Sequence, residues 1–377
     1  MDLVLISDGE AVKGSLLKKL PLFFSARLID MKDLGSKSIS PAKVAAIDFT
    51  GASPLALRKL AASIKTAGDA AIVCLVNKSI RREVVQATSL GHVVLFDKEL
   101  GLKALVRQIR SHFAEPINVE ALENAPIASQ AAFSKATQFL NELMFSSAIP
   151  DDVPLQIMNR AAGALSVAIE RDGIQGWMGT VQHHHSFTFR HSLHVAGLAT
   201  AFAQSLGWPE PDCAEIAAGG LLHDIGKTRI PLSILDKPGR LSDEERALIN
   251  MHPEFGREIL KTQLDIPRDL KKMAVQHHEL LDGTGYPAGL SGDQIDVKVR
   301  LMTICDIFAA LTEKRSYKRA LSPREAYGEL RGMGGKLDAD LVRKFRSVVL
   351  GMDFGDLKAD AKPLLAQNQA SPVVQGR

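Results

Sequence analysis

Gly219-Gly-Leu-Leu-His223-Asp224-Ile-Gly-Lys227 is the stretch that decides how the longer part of the chain is read. An apolar run of helical character ends in adjacent His and Asp, then a glycine able to take a left-handed stop, then a lysine. A His-Asp pair against an apolar face is unfavourable unless something satisfies it, and a cation is the simplest candidate. Outward from this stretch, His191 stands in Arg190-His-Ser192 and His252 in Met251-His-Pro253. His277 and His278 are adjacent, and Asp306 closes Thr303-Ile-Cys-Asp306. From about Pro154 to Met352 every long segment reads helical; Ser192–Leu206 and Cys213–His223 carry apolar stripes of helical period. The fold class expected here is an all-α helical bundle with these side chains on separate segments.

Neutral imidazoles with carboxylates suit Fe, Mn, Ni, Zn or Co rather than Ca or Mg. Five histidines and two aspartates exceed what one tetrahedral ion can use. A dinuclear site bridged by one carboxylate fits, with Asp224 the natural bridge. Two ions about 3.5–4 Å apart can hold a hydroxide and clamp a phosphoryl group for in-line attack. Taken singly, each residue reads as a satisfied core or surface group. The ordered set decides otherwise.

The chain has 377 residues, enough for two domains, and 46 basic against 43 acidic residues give a net charge of +3. That bias is too weak to argue for a nucleic-acid or membrane partner. Cys74, Cys213 and Cys305 form no paired spacing, which predicts a reducing compartment. No apolar run reaches the ~18–20 residues that span a bilayer, so a cytoplasmic protein is expected. Nine of the eleven histidines fall between His183 and His278. The triplet His183-His184-His185 reads as a polar approach to a helix rather than as ligands, and His194 as a neighbour of His191 on a similar face.

The first 113 residues alternate short apolar runs (Leu3–Ile6, Ala26–Ile29, Val44–Ile47, Ala70–Val76, His92–Phe96) with helical segments such as Leu55–Ile64 and Leu102–Phe113. Five such βα units predict an α/β doubly wound parallel sheet over 1–113. A helical linker follows over 114–152, where Phe133, Ala136, Phe139, Leu140 and Leu143 mark a helix that could equally form a dimer seam. A helical domain over 153–353 and a flexible tail over 354–377 complete the expected organisation.

The N-terminal layout resembles a flavodoxin-like response-regulator receiver. The resemblance implies an acidic pair after the first strand, a phosphoacceptor Asp after the third and a Lys after the fifth. Here Asp8 has Ser7 beside it, Asp48 takes the acceptor place and Lys98 the lysine place. The switch hydroxyl position falls near Leu75, and Glu99 replaces the usual proline. This reads as a degenerate receiver, an interaction module more than a phospho-switch.

His223-Asp224-Ile-Gly-Lys227 followed by His277-His-Glu-Leu-Leu-Asp282-Gly283-Thr-Gly285-Tyr286-Pro287 resembles the HD-GYP cyclic di-GMP phosphodiesterases, over about Val153 to Asp353. The resemblance implies His191, His223, Asp224, His252, His277, His278 and Asp306 as ligands of two divalent ions, Fe or Mn. It implies Lys227 beside the substrate phosphate, with Arg315 and Lys318 as the basic pair on the phosphates. Asp282, Gly283, Gly285, Tyr286 and Pro287 form the namesake loop, in which Tyr286 can stack or hydrogen-bond to substrate. In the wider family this loop also matters for partners bearing diguanylate-cyclase domains.

Two departures stand out. Phe187 replaces a glutamate that supports a third metal in some members, so two metals are expected. Ala309 replaces an acid in Asp306-Ile-Phe-Ala309-Ala-Leu311, which should cost a contact behind a ligand. The implied reaction is attack of a metal-bridging hydroxide on cyclic di-GMP, giving linear pGpG, with GMP the product only if a second cut follows. A mixed cyclic GMP-AMP substrate, or a non-catalytic cyclic-dinucleotide-binding module, stays open as an alternative; retention of all seven ligand positions favours catalysis.

Overall fold

The computed structural model describes residues 3–9, 15–35, 37–112, 124–148, 153–182, 187–235, 237, 239–313 and 319–359; at 145–148, 187–188 and 353–359 only the backbone is considered. Strands β1 (Leu3–Ser7), β2 (Ala26–Asp30), β3 (Val44–Asp48), β4 (Ala71–Val76) and β5 (Val94–Asp97) form one parallel sheet in the order β2-β1-β3-β4-β5. This is a doubly wound order whose direction reverses between β1 and β3. β1 and β3 are apolar almost throughout because both sheet faces are covered. Val4, Ile6, Ala45 and Ile47 pack on one side with Leu60 of α1 (Pro54–Ile64). Leu3, Leu5, Val44 and Ala46 pack on the other with Leu17, Leu20 and α3 (Gly101–Arg110). A short α2 (Arg81–Thr88) joins β4 to β5.

The crossovers correct the expectation of five βα units. Among the described residues, β1 and β2 are followed only by 3-10 turns, Leu16–Leu22 and Met31–Asp33. Pro21 inside the first removes a backbone donor, and the stretch after the second runs through Gly35 at φ 106° and Pro41 with few apolar residues at helical spacing.

The helical part begins earlier than expected. The helix read as a linker is α4 (Ile127–Ala148), and its Ala132, Phe133, Ala136, Phe139, Leu140 and Leu143 are buried in the helical core. It lies along α5 (Leu155–Val181), so its apolar face is covered within the chain and is not free as a dimer seam. Gly173 breaks α5 at φ 72°. There follow α6 (Phe187–Ser205), α7 (Glu210–Leu222), a 3-10 helix Ile225–Arg229, α8 (Leu232–Leu235), α9 (Asp243–Asn250), α10 (His252–Leu260), α11 (Arg268–Gln276), α12 (Val297–Thr312), α13 (Pro323–Gly332) and α14 (Ala339–Ala359). α14 continues past the boundary expected at 353; residues 360–377, the rest of the expected tail, lie outside the described residues. Helices α5, α6, α7, α11 and α12 pack in sequence around one core, with Trp177, Phe202, Phe308 and Phe345 fully buried at its centre. Among the described residues no helix is long and apolar enough to cross a membrane.

Candidate metal centre

Five of the seven side chains come from helix ends or the residue just past one, and two, His191 and Asp306, from helix interiors. His191 lies on α6, His223 caps α7, and Asp224 starts the 3-10 helix Ile225–Arg229. His252 opens α10, His277 caps α11, His278 follows it, and Asp306 lies inside α12. Helix ends suit this task, since their unpaired backbone carbonyls can fix a nearby imidazole. His223 Nδ1 donates to Gly220 O at 2.7 Å, His252 Nδ1 to Ile249 O at 2.7 Å and His277 Nδ1 to Met273 O at 3.1 Å. A carbonyl only accepts, so each ring carries its proton on Nδ1 and turns a bare Nε2 lone pair inward.

That arrangement tests whether the residues fit a metal. His252 Nε2 and His277 Nε2 are 3.1 Å apart, both as acceptors. Burial holds His252 down to about 3 and His277 well below the usual imidazole range, so neither ring brings a second proton to the gap. Two inward lone pairs at that distance call for a cation between or beside them. His223 Nε2 and Asp224 Oδ1 are likewise buried without a hydrogen bond. The donors assemble into three groups, each with atoms within 4.8 Å of one another: His252, His277 and His278; His191, His223 and Asp306; and His223, Asp224 and His277. The donor set fits divalent transition metals.

Asp224 joins the groups. Its Oδ1 faces His252 Nε2 at 3.3 Å and His277 Nε2 at 3.8 Å. Its Oδ2 faces His223 Nε2 at 3.4 Å and His191 Nε2 at 3.8 Å, and takes the Lys227 ammonium at 2.6 Å. Burial pushes the Asp224 carboxyl up, but His223 and Lys227 pull it down further, well below the usual range. Asp306 behaves likewise: burial opposes its charge, while His191, His278 and His223 hold it ionised. His191 is the exception among the rings. Burial alone would lower it, yet Asp306 and Glu313 on either side raise it to about 9.

The loop after His278 is a tight turn. Gly283 sits at φ 78°, and a Cβ at Gly285 would lie 2.4 Å from Leu280 N. Asp282, exposed, accepts from Thr284 N at 3.0 Å and from its hydroxyl at 2.6 Å, so it shapes the turn and does not face the centre. Tyr286 closes the turn through its N–H to His278 O at 3.2 Å, and Pro287 follows through a cis bond.

Residues 178–341 match the family model described as an HD domain. The same stretch carries His277 to Pro287 complete. Residues 178–341 are an HD domain of the HD-GYP type. Three curated relatives align with the domain. Cyclic di-GMP phosphodiesterase PA4108 of Pseudomonas aeruginosa is 37% identical over 163 residues, 43% of this chain and 39% of that protein. The 3'3'-cGAMP-specific phosphodiesterase 3 of Vibrio cholerae is 40% identical over 135 residues, 36% of this chain and 29% of that one. The cyclic di-GMP phosphodiesterase response regulator RpfG of Xanthomonas campestris pv. campestris is 39% identical over 145 residues, 38% of each chain. The chain thus spans about two-fifths or less of the length of these relatives.

Two buried acids of the HD domain escaped the reading of the sequence. Glu279 accepts from Ala288 N at 2.7 Å and Leu290 N at 2.9 Å, pinning the far side of the turn. Its signal was an acid next to the paired histidines and just before a glycine-rich run. Glu313 lies 3.4 Å from His191 Nδ1, seven residues and two turns beyond Asp306. Ala309, one turn before Glu313, is buried among apolar side chains. Arg315, Lys318 and the triplet His183 to His185 lie outside the described residues, as does the side chain of Phe187.

Around the sheet's C-terminal edge, Asp48 is fully engaged. Its Oδ2 accepts the Ser15 hydroxyl at 2.7 Å, its Oδ1 the Thr50 hydroxyl at 2.6 Å, and Lys98 Nζ lies 3.2 Å away. Asp8 instead accepts Ser53 N at 2.8 Å, at the start of α1.

Proposed function

We propose that the HD domain hydrolyses cyclic di-GMP, opening it to linear pGpG. The observation that carries this is Asp224, whose two oxygens face two separate sets of imidazoles and so suit a carboxylate shared by two ions. The ligands are His191, His223, Asp224, His252, His277, His278 and Asp306. A pair of divalent ions of the Fe or Mn kind supplies Lewis acidity to the phosphodiester and to a water.

The rest falls to the protein's own groups. Three rings locked by backbone carbonyls keep their donor nitrogens aimed inward without reorganisation. Lys227, held by Asp224 and part-exposed on the rim, gives a proton to the departing 3′ oxygen as the P–O3′ bond breaks and water's oxygen joins phosphorus. The proton that the water loses passes to solvent, from which Lys227 is reprotonated. Arg315 and Lys318 hold the second phosphate, for which a planar guanidinium is well suited. Tyr286 already spends one ring face on His278, leaving its other face or hydroxyl for the nucleotide.

A mixed ring is the second reading, favoured by relatives of comparable identity named as 3'3'-cGAMP-specific. Around the catalytic unit, the sheet acts as a degenerate receiver-like module, and the turn from Gly283 to Pro287 meets partners bearing diguanylate-cyclase domains. The test is to incubate Mn- or Fe-loaded protein with cyclic di-GMP and with 3'3'-cGAMP, beside His223→Ala, Asp224→Ala and Lys227→Met. Turnover of cyclic di-GMP should vanish in the first two. In Lys227→Met it should fall about 100-fold or more with metal content retained. Retained nucleotide binding with no turnover under any metal overturns the enzymatic reading in favour of a binding module.

A further inference from the structure

His191 differs from the three rings locked by backbone carbonyls. Its Nδ1 makes no hydrogen bond of good geometry, and neither does either oxygen of Glu313, although all three atoms are buried. The nearest acceptor to that nitrogen is Glu313 Oε2 at 3.4 Å. On the other side of the ring, Nε2 meets Asp306 Oδ1 at 2.9 Å. The imidazole is therefore gripped between two carboxylates that belong to one helix and its cap. Glu313 follows directly on α12, its N–H bonded to Ala309 O at 2.9 Å, so its position is tied to that of Asp306. Arg190 Nε, 3.5 Å from Glu313 Oε1, balances its charge from the α6 side. A buried carboxylate this close to a protonatable nitrogen, with no better partner, is expensive unless the pair is used.

We infer that Glu313 is the positioning residue for His191. It accepts from Nδ1–H, as Gly220 O, Ile249 O and Met273 O do for the other three rings, and so leaves Nε2 free for a metal. A carboxylate in that place also makes the ring a stronger donor than an amide carbonyl does. The inference rests on the metal-dependent reading above, and it concerns metal affinity rather than the reaction.

The experiment is titration of the metal-free full chain with Mn²⁺ by equilibrium dialysis, for wild type, Glu313→Gln and Glu313→Ala, with Tm of each metal-free protein alongside. Substitution behind a ligand typically weakens metal binding about 10- to 100-fold. Glu313→Ala should show that loss. Glu313→Gln keeps an acceptor oxygen at the same reach and should fall between Ala and wild type. Activity at saturating Mn²⁺ should recover most of the wild-type kcat, because the defect lies in loading. Wild-type Kd in both variants, with wild-type protein that binds Mn²⁺, overturns the role of Glu313 and leaves the metal-dependent reading standing. Lower Tm with unchanged Kd makes Glu313 purely structural and also overturns it. Wild-type protein that binds no divalent metal overturns both.

Discussion

The ring of Tyr286 lies nearly flat on that of His278, with centroids 4.7 Å apart and planes 23° apart. His278 is the most exposed of the candidate ligands, its side chain 23% accessible, and Tyr286 is what covers it. Burial, with Asp306 and Asp224 nearby, drives the Tyr286 hydroxyl well above its ordinary value, so it stays protonated at working pH. The contribution of the residue to metal binding is therefore its ring. Tyr286→Phe should keep metal affinity within about twofold, whereas Tyr286→Ala should weaken it about three- to tenfold, the usual worth of such a stack. Calorimetric titration with Mn²⁺ checks both.

Gly226 lets the 3-10 helix carrying Lys227 press against the start of α10. A Cβ there would lie 1.8 Å from His252 O and 2.7 Å from Gly256 N, both rigid backbone. Gly226→Ala should therefore cost about 2–3 kcal/mol and lower Tm by roughly 5–10 °C. It should also separate His252 from Asp224 and reduce bound metal. Thermal melting and metal analysis of the same preparation would read both effects, and a variant with unchanged metal content would contradict the second.

The parts of this molecule that could be read in advance are those set by local pattern. Val44-Ala-Ala-Ile47 is a strand with both faces covered, and an unbroken apolar run is its signature. The order and spacing of the histidines were legible because helix ends place all but His191, even though their convergence is tertiary. What escaped depended on which helix lies across from which. The relation of Glu313 to His191 needs α6 packed on α12, and the covered face of α4 needs α5. Among the described residues no α-helix follows β1 or β2, and after β1 the reason is that Leu16–Leu22 is apolar enough to pass for a helix until Pro21 is weighed.

His194 offers a pH test. It is buried, and burial holds it down to about 4, with His191 and Arg190 adding to the depression and Glu313 opposing it. Unfolded, the ring takes a proton near 6.5. Below that pH the unfolded state binds more protons, so the stability this neutral ring allows is complete above 6.5 and is lost as pH falls towards 4. His194→Asn removes the effect. In urea titrations of metal-free protein, the stability advantage of wild type over His194→Asn should shrink by on the order of 2–3 kcal/mol between pH 7 and pH 4.5. A difference that does not change with pH would refute this.

Asp48 should not behave as a phosphoacceptor. Both of its oxygens are held by hydroxyls, from Ser15 and Thr50, and burial of the carboxyl is more than offset by these partners and Lys98, which keep it below the usual range. Acetyl phosphate with Mg²⁺ should leave the mass of the chain unchanged. Asp48→Ala should alter phosphodiesterase activity less than twofold, but lower stability by about 1–3 kcal/mol because the partner groups lose their acceptor. A stable mass increase of one phosphoryl group on Asp48 would sink this view.

The burial of α4 has a consequence for how the chain can be divided. α4 gives its apolar face to α5, touches the 3-10 helix that bears Lys227, and reaches the sheet through Lys103 with Glu142 and Arg110 with Asn141. A cut at 153 would strip the helical core of Phe133, Phe139 and Leu143 and leave their neighbours facing water. The smallest transplantable helical unit thus starts near residue 124, and any gene fusion or exchange that keeps it whole must carry α4 along as its outer cover.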